Sequence, residues 1–262
     1  MEVEGGHDRK FTVMVCEMVG TALFMYAIIM TSTGLTVPFS LFASILIFGG
    51  ITGGHFNPAV SLGVYIAKSK DYTDNMGFLL LIWLGQFLGG FIAMGLSFMS
   101  LYSTKPPPTT VPADLVPRLC PQGYPMFDNE PDCDNWDGEG SFMFDFQVTL
   151  NELICTFIFV SVILMVKIDE DHAKVTKDGI AGALTVAIAL LAMGQTGGKL
   201  GACYNPVVGL VAMVNAVSYL DNNSGYLTHY TPYYVIGPLL GGLFAGLFHL
   251  LHKHVLLEQP KD

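Results

Sequence analysis

Charged residues are scarce in this chain. Asp, Glu, Lys and Arg make up 13% of its 262 residues, about half of the roughly 25% that is usual in soluble domains. Lys and Arg are the scarcer sign, with 12 residues against 22 acidic ones and a formal net charge of −10. A surface that binds nucleic-acid phosphates needs clustered Lys and Arg, so a nucleic-acid-binding protein is excluded. The low charge, together with 52% hydrophobic residues, also excludes a disordered chain and a typical cytosolic enzyme.

Metal and redox motifs are missing from the sequence as well. None of the five cysteines has the CxxC spacing that is typical of zinc and redox sites. Cys120 and Cys133 share a polar segment, and they form a disulfide only if that segment faces an oxidising compartment, so both alternatives stay open. The first ten residues are polar and acidic, unlike a cleaved signal peptide or a transit peptide. We therefore expect the first apolar segment to direct membrane insertion.

Long apolar runs take the place of charge. Six of them are candidate membrane spans, at residues 11–32, 37–51, 78–101, 144–166, 180–193 and 233–251. The second and fifth are short for the ~20 residues that a crossing needs, and each leads into a glycine-rich stretch and a half-length apolar segment, at 57–67 and 205–217. Short, glycine-interrupted segments at corresponding places in two halves indicate a transport site at the interface of an inverted repeat.

The two halves of the chain also share a motif. Residues 49–62 read GGITGGHFNPAVSL and residues 197–210 read GGKLGACYNPVVGL. An acidic residue precedes each motif inside an apolar run, Glu17 in the first half and Glu152 in the second. With three spans in each half, the second copy is inverted relative to the first. We predict an all-α membrane protein with six transmembrane helices and two re-entrant half-helices in an inverted repeat.

The distribution of basic residues predicts the orientation. With six crossings, most Lys and Arg residues fall on the side of the two termini, so the positive-inside rule makes both termini cytoplasmic. The segment from about 102 to 141 is then an external loop, and its proline density argues against a helix. Asn222 begins an Asn-Asn-Ser pattern for N-glycosylation on the external side, although such patterns often occur by chance.

Each Asn-Pro pair predicts the start of a helix inside the membrane. Pro is tolerated in the first turn of a helix, and Asn is a favoured N-cap. Asn57-Pro58 and Asn205-Pro206 therefore begin two half-helices that enter from opposite sides. The preceding glycines allow an extended chain whose carbonyls line a water-filled path. Two helix N-termini at mid-membrane oppose cations and protons, while the Asn amides hydrogen-bond a passing neutral molecule.

With these motifs the sequence resembles the major intrinsic protein family of aquaporins and aquaglyceroporins. The residues that carry the resemblance are spread over nearly the whole chain: Glu17, Gly20, Thr21, residues 54–60, Gln86, Gly89, Glu152, Asn205, Pro206 and residues 237–242. The family implies a homotetramer with one pore per subunit, no cofactor, and passive conduction of water or small neutral solutes across the lipid bilayer. Residues 1–262 are then a single transmembrane channel domain, with one repeat at about 11–101, the external loop at about 102–141 and a second repeat at about 142–252.

The resemblance also assigns roles to individual residues. Asn57, Pro58, Ala59, Asn205, Pro206 and Val207 form the pore motif; Gly54, His55, Phe56, Gly201, Cys203 and Tyr204 line the pore; Glu17, Glu152 and Gln86 support the two loops. In the family the glutamates accept hydrogen bonds from the loop backbone, and proton carriage by these buried acids is the alternative. His55 is either a structural histidine or a gating sensor.

The sequence departs from the family at the outer constriction. Val207 replaces the usual Ala of the second motif, and Val208 stands where the family usually has its selectivity Arg. The other filter positions fall near Val37, Gly194 (or Met193) and Ala202, all of which are small or apolar. Lys199 is a candidate substitute cation, although its long side chain can equally reach external solvent.

We predict a passive channel of relaxed selectivity for water, glycerol, urea, ammonia or peroxide. The alternative is a pore-closed, aquaporin-like structural subunit of a larger membrane complex, because a lost Arg and an altered motif are also what relaxed selection on a pore would produce. An enzyme is not predicted, since the sequence offers no metal-ligand cluster, no nucleophile with an evident base and no phosphate loop. The plasma or vacuolar membrane is expected, or an organelle inner membrane under the alternative.

Overall fold

The computed structural model describes residues 7–30, 34–68, 71–102, 126–127, 130–131, 142–168, 179–198, 200–201, 203–219 and 225–257. Five residues that the sequence singles out lie outside this described part: Cys120, Cys133, Lys199, Ala202 and Asn222. Their predicted roles in a disulfide, as a substitute cation, in the outer filter and in glycosylation stay predictions.

Helices account for nearly all of the described structure. They are α1 His7–Met30, α2 Thr36–Thr52, α3 Pro58–Lys68, α4 Tyr72–Tyr102, α5 Phe142–Ile163, α6 Gly179–Gly197, α7 Pro206–Tyr219 and α8 Gly225–Leu257. A π-helical turn, Leu164–Ile168, continues α5. Two short antiparallel strands, β1 Met126–Phe127 and β2 Glu130–Pro131, lie in the long segment between α4 and α5. Apart from these two short strands the described structure is helical, which confirms the prediction of an all-α fold.

Five of the helices are long and apolar enough to cross a membrane, namely α1, α4, α5, α6 and α8. The sixth expected crossing, α2, is apolar but has 17 residues, which corresponds to a length of about 26 Å. That length is slightly less than the ~30 Å hydrocarbon core of a typical bilayer. The half-helices α3 and α7 have 11 and 14 residues, so they reach only part of the way across.

Several helices extend beyond the predicted apolar runs. The last predicted run, 233–251, lies within the longer helix α8, which has 33 residues and contains both Pro232 and Pro238. Its flanking turns carry Tyr, His, Thr and Lys, which belong to no apolar run but continue the helical hydrogen bonding. Hydropathy therefore marks the part of a helix that faces the bilayer core and underestimates the helix itself.

Glycines bring the long helices of each repeat into close contact. A Cβ atom placed on Gly89 of α4 would lie 2.1 Å from the Met18 carbonyl oxygen of α1. A Cβ on Gly241 of α8 would lie 2.6 Å from the Leu153 carbonyl oxygen of α5. Small residues at such crossings let helix backbones approach closely, which is a main source of helix association in membranes.

The half-helices pack against the long helices of the opposite repeat. The backbone of Ala59 in α3 leaves no room for a side chain at Gly242 of α8, where a Cβ would lie 2.2 Å from the Ala59 carbonyl oxygen. Likewise a Cβ at Gly90 of α4 would lie 2.6 Å from Cγ1 of Val207 in α7. This crosswise packing brings the first turns of α3 and α7 to the interface between the two repeats.

Candidate pore where the two half-helices meet

Both half-helices begin with the same cap. The side-chain oxygen of Asn57 accepts a hydrogen bond from the Ala59 N–H at 2.8 Å, and that of Asn205 accepts one from the Val207 N–H at 3.0 Å. Each Asn is followed by a Pro as the first helical residue. Such caps satisfy backbone donors that a helix start inside a membrane would otherwise leave without partners.

The two caps are joined by reciprocal hydrogen bonds. Nδ2 of Asn57 donates to the Tyr204 carbonyl at 2.8 Å, and Nδ2 of Asn205 donates to the Phe56 carbonyl at 2.9 Å. Both asparagines are buried, at 4% and 3% exposure. The positive ends of the two half-helices therefore lie next to each other inside the molecule.

The residue before each Asn has an unusual backbone. Phe56 and Tyr204 both have φ of 48°, in the left-handed region that side chains other than Gly seldom adopt and that costs about 1–2 kcal/mol. This turn presents each carbonyl to the Asn of the other half-helix. Because the same positive φ occurs at equivalent positions, it is a feature of both loops, and the hydrogen bonds between the caps offset the conformational energy.

Glu17 of α1 holds the first loop, which precedes α3. Its carboxylate accepts hydrogen bonds from the backbone N–H groups of His55 at 3.0 Å and Phe56 at 2.7 Å. Nε2 of Gln86 lies 2.8 Å from the same carboxylate and 2.9 Å from Oγ of Ser61. Ser61 in turn lies 3.1 Å from Nδ1 of His55. Because Glu17 and Gln86 are fully buried, this network fixes the loop against two long helices.

Glu152 of α5 holds the second loop in the corresponding way. It accepts hydrogen bonds from the backbone N–H groups of Cys203 at 3.1 Å and Tyr204 at 2.8 Å. The Cys203 thiol adds a third contact to the carboxylate at 3.1 Å. Glu152 is also fully buried. Each loop is therefore anchored by one intramembrane carboxylate that accepts two consecutive backbone N–H groups.

A small cavity lies where the half-helices meet. Its space for water centres is about 10 Å³, which is room for roughly one water molecule at a time. It is lined by pairs of residues from the two repeats: Phe24 and Phe159, Leu41 and Leu190, His55 and Cys203, Phe56 and Tyr204, and Asn57 and Asn205. Apolar side chains form most of the wall, and the polar groups are contributed by the two loops and caps.

The structure thus gathers six of the twelve predicted pore-motif and pore-lining residues around one cavity, and it adds four residues that sequence reasoning missed. Phe24 and Phe159 each lie seven residues after a buried glutamate, and that shared spacing is the signal that would have identified them. Leu41 and Leu190 have no comparable signal, because one Leu in an apolar helix resembles any other. The predicted Gly54 and Gly201 do not line this cavity; they have φ of 66° and 87°, which Gly adopts freely.

The predicted outer-filter positions differ in their surroundings. Val208 in α7 is buried, with 6% exposure, and Val37 in α2 is half-buried and packs against the core. Gly194 of α6 has open space around it, since a Cβ there would meet nothing within 4 Å. Met193 is half-buried and packs against the core as well. In the described residues no group of three or more His, Cys, Asp or Glu side chains is arranged to hold a metal ion.

Comparison with known proteins gives a consistent result. A sequence model of the family described as "Major intrinsic protein" matches residues 9–249. The chain is 27% identical over 217 residues to "Aquaporin AqpM" of Methanothermobacter marburgensis, covering 82% of this chain and 73% of that protein. It is 26% identical over 215 residues to "Glycerol uptake facilitator protein-like 6" of Lactiplantibacillus plantarum, covering 81% and 80%. Among solved structures, the aquaglyceroporin from Plasmodium falciparum superimposes with a TM-score of 0.64 at 20% identity, covering 97% of this chain and 99% of that one.

Proposed function

The chain belongs to the major intrinsic protein family, whose aquaporins are membrane channels and not enzymes, and from this premise we propose that it conducts water and small neutral solutes passively. The conduction path runs through the cavity between α3 and α7. The observation that carries the proposal is the pair of reciprocal hydrogen bonds between Asn57 and Tyr204 and between Asn205 and Phe56. These bonds hold two helix N-termini at one point on the path.

The geometry supports a neutral permeant. Two positive helix ends at the cavity oppose cations and protons. Each Asn amide has two N–H groups, and the cross-bond uses one of them, so the other is available to a passing oxygen atom. The rest of the wall is largely apolar, and its polar groups come from the two loops. Molecules therefore pass one at a time, with a short polar contact at the centre.

We also propose that the outer entrance of the pore is wide. In the family resemblance its filter lies at Val37, Gly194, Ala202 and Val208, and it lacks the usual Arg. Gly194 with open space beside it and the short side chain of Val208 support a wide entrance that admits solutes such as glycerol, urea, ammonia or peroxide. A buried Val donates no hydrogen bond and repels no cation.

We further propose that the chain is a single channel domain that assembles as a homotetramer. Both termini are cytoplasmic, as the distribution of basic residues favours. The plasma or vacuolar membrane is the first expectation. In the channel domain Glu17, Glu152 and Gln86 support the loops, and the residues around the cavity line the pore.

One observation favours the alternative of a pore-closed structural subunit. The central cavity has room for only about one water molecule, and the bulky Phe56 and Tyr204 side chains are fully buried beside it. A closed pore would need no selectivity Arg. The intact caps and both loop glutamates argue for conduction, because they are the parts that a conducting pore requires.

Solute fluxes into proteoliposomes test the wide entrance. Val208→Arg is expected to lower urea permeability roughly tenfold, the lower end of the discrimination that one pocket group supplies, and to lower water permeability much less. Val208→Leu is the matched control, since it adds bulk without charge or donors. Equal effects of Val208→Arg on urea and water, or no urea flux through the unaltered protein, would remove the outer-filter assignment.

A further inference from the structure

Two side chains hold the backbone at the outer end of α6. Nδ2 of Asn151 in α5 lies 3.2 Å from the Gly197 carbonyl and 3.2 Å from the Gly201 carbonyl. The Tyr204 hydroxyl donates to the Met193 carbonyl at 2.8 Å. These bonds connect the last turns of α6 to the loop that precedes α7. A fourth bond, from the Tyr234 hydroxyl of α8 to the Leu200 carbonyl at 2.9 Å, connects the same loop to α8.

The packing around these bonds is close. A Cβ atom on Gly197 would lie 2.1 Å from the Tyr204 hydroxyl oxygen, and one on Gly201 would lie 2.1 Å from the Tyr234 hydroxyl oxygen. Gly201 also has φ of 87°. Each hydroxyl therefore occupies the place of a missing side chain, and the loop backbone has little freedom to shift.

The Asn151 amide is held in one orientation. Its Oδ1 accepts a contact from the Cys155 thiol at 3.7 Å, one helical turn further along α5. With the oxygen engaged there, the NH₂ group points to the two carbonyls. An amide fixed at both ends acts as a clamp between the end of α6 and the loop.

The first repeat shows that a pore loop does not need these groups. The residue before Glu17 is Cys16, whereas the residue before Glu152 is Asn151. The residue before the first Asn-Pro pair is Phe56, which has no hydroxyl, whereas Tyr204 stands before the second pair. The first loop is nevertheless held by its glutamate and cross-bonded in the same way. The first loop has its own additional bonds from Gln86 to Glu17 and Ser61, whereas the additional bonds of the second loop reach the end of α6.

That difference lies where the selectivity filter is expected. Met193 is the carbonyl partner of Tyr204 and precedes Gly194, while Gly201 precedes position 202. We propose that Tyr204, Asn151 and Tyr234 are positioning residues that fix the shape of the outer entrance where Val208 replaces the usual Arg, and so set how strongly solutes larger than water are excluded. This inference rests on the proposed function, and it names the residues that determine the selectivity of the same pore.

The test is the ratio of urea to water permeability in proteoliposomes. Tyr204→Phe removes one hydroxyl and leaves the ring, so the entrance loses a restraint and the ratio is expected to rise about threefold to fivefold, in keeping with the loss of one neutral hydrogen bond. Asn151→Ala is the second variant and is expected to change the ratio in the same direction. Tyr65→Phe is the matched control, because the Tyr65 hydroxyl donates to a backbone carbonyl, that of Tyr72, between α3 and α4 and away from this loop.

The possible results distinguish the positioning role of these residues from the proposed conduction itself. A raised ratio in Tyr204→Phe and Asn151→Ala, with an unchanged ratio in Tyr65→Phe, supports the positioning role. A merely structural role would lower the melting temperature or the amount of protein and scale both fluxes equally. An unchanged ratio with water flux intact overturns the inference alone. If the unaltered protein conducts no more water than protein-free vesicles, the proposed function fails and the inference fails with it.

Discussion

Two carboxylates with the same role have different surroundings. The Gln86 amide contacts the Glu17 carboxylate, whereas the Cys203 thiol contacts the Glu152 carboxylate. Both accept two consecutive backbone N–H groups. The two repeats therefore anchor their loops in the same way, but a different side chain makes the additional contact to the glutamate in each repeat.

Replacing Glu152 by Gln tests the anchor. The amide of Gln has one acceptor oxygen and an NH₂ group that faces the same N–H donors, so at least one buried donor loses its partner. We expect the free energy of unfolding to fall by about 1–3 kcal/mol, seen as a lower melting temperature in detergent. A melting temperature of Glu152→Gln equal to that of the unaltered protein would contradict the anchoring role.

Much of this residue-scale arrangement follows from the sequence. Asn57 and Asn205 are recognisable as N-caps because Pro follows each one, and the glutamates are recognisable because a carboxylate in an apolar run needs partners. The reciprocal bonds between the caps are not recognisable, since they join residues that are far apart along the chain. The same holds for Asn151, whose role appears only when α5 is placed beside the second loop.

At the scale of the helices, the fold depends on glycines at the points where helices cross. Gly89 and Gly241 lie at the crossings of α4 with α1 and of α8 with α5, and Gly90 and Gly242 receive the half-helices. The sequence shows a high glycine content of 29 residues, but it does not say which glycines lie at a crossing. Along α4, Gly95 has open space where Gly89 has a neighbouring backbone.

This contrast yields a prediction within one helix. Gly89→Ala places a methyl group 2.1 Å from the Met18 carbonyl oxygen, so α1 and α4 must separate. We expect a loss of about 1–3 kcal/mol or more in stability from overpacking and much less monodisperse protein after extraction. Gly95→Ala adds the same methyl group to the same helix and is expected to be neutral, since nothing lies within 4 Å. Equal yields and melting temperatures for the two variants would contradict the packing of α1 on α4.

At the scale of the whole molecule, the inverted repeat creates a site that neither half has alone. The cavity is lined by matched residues from both repeats, and each half-helix packs against a long helix of the other repeat. The sequence predicts the repeat because the two motifs align without gaps. It does not predict the width of the path, which depends on the rotamers of Phe24 and Phe159 and on the placement of the outer loop.

The central claim is that this path conducts. Osmotic shrinkage of proteoliposomes, followed by light scattering after a step in sucrose concentration, measures it most directly. The account predicts that vesicles with the unaltered protein shrink severalfold faster than protein-free vesicles of the same lipid and size. Equal shrinkage rates at confirmed protein incorporation would contradict the account and leave the pore-closed structural subunit as the better description.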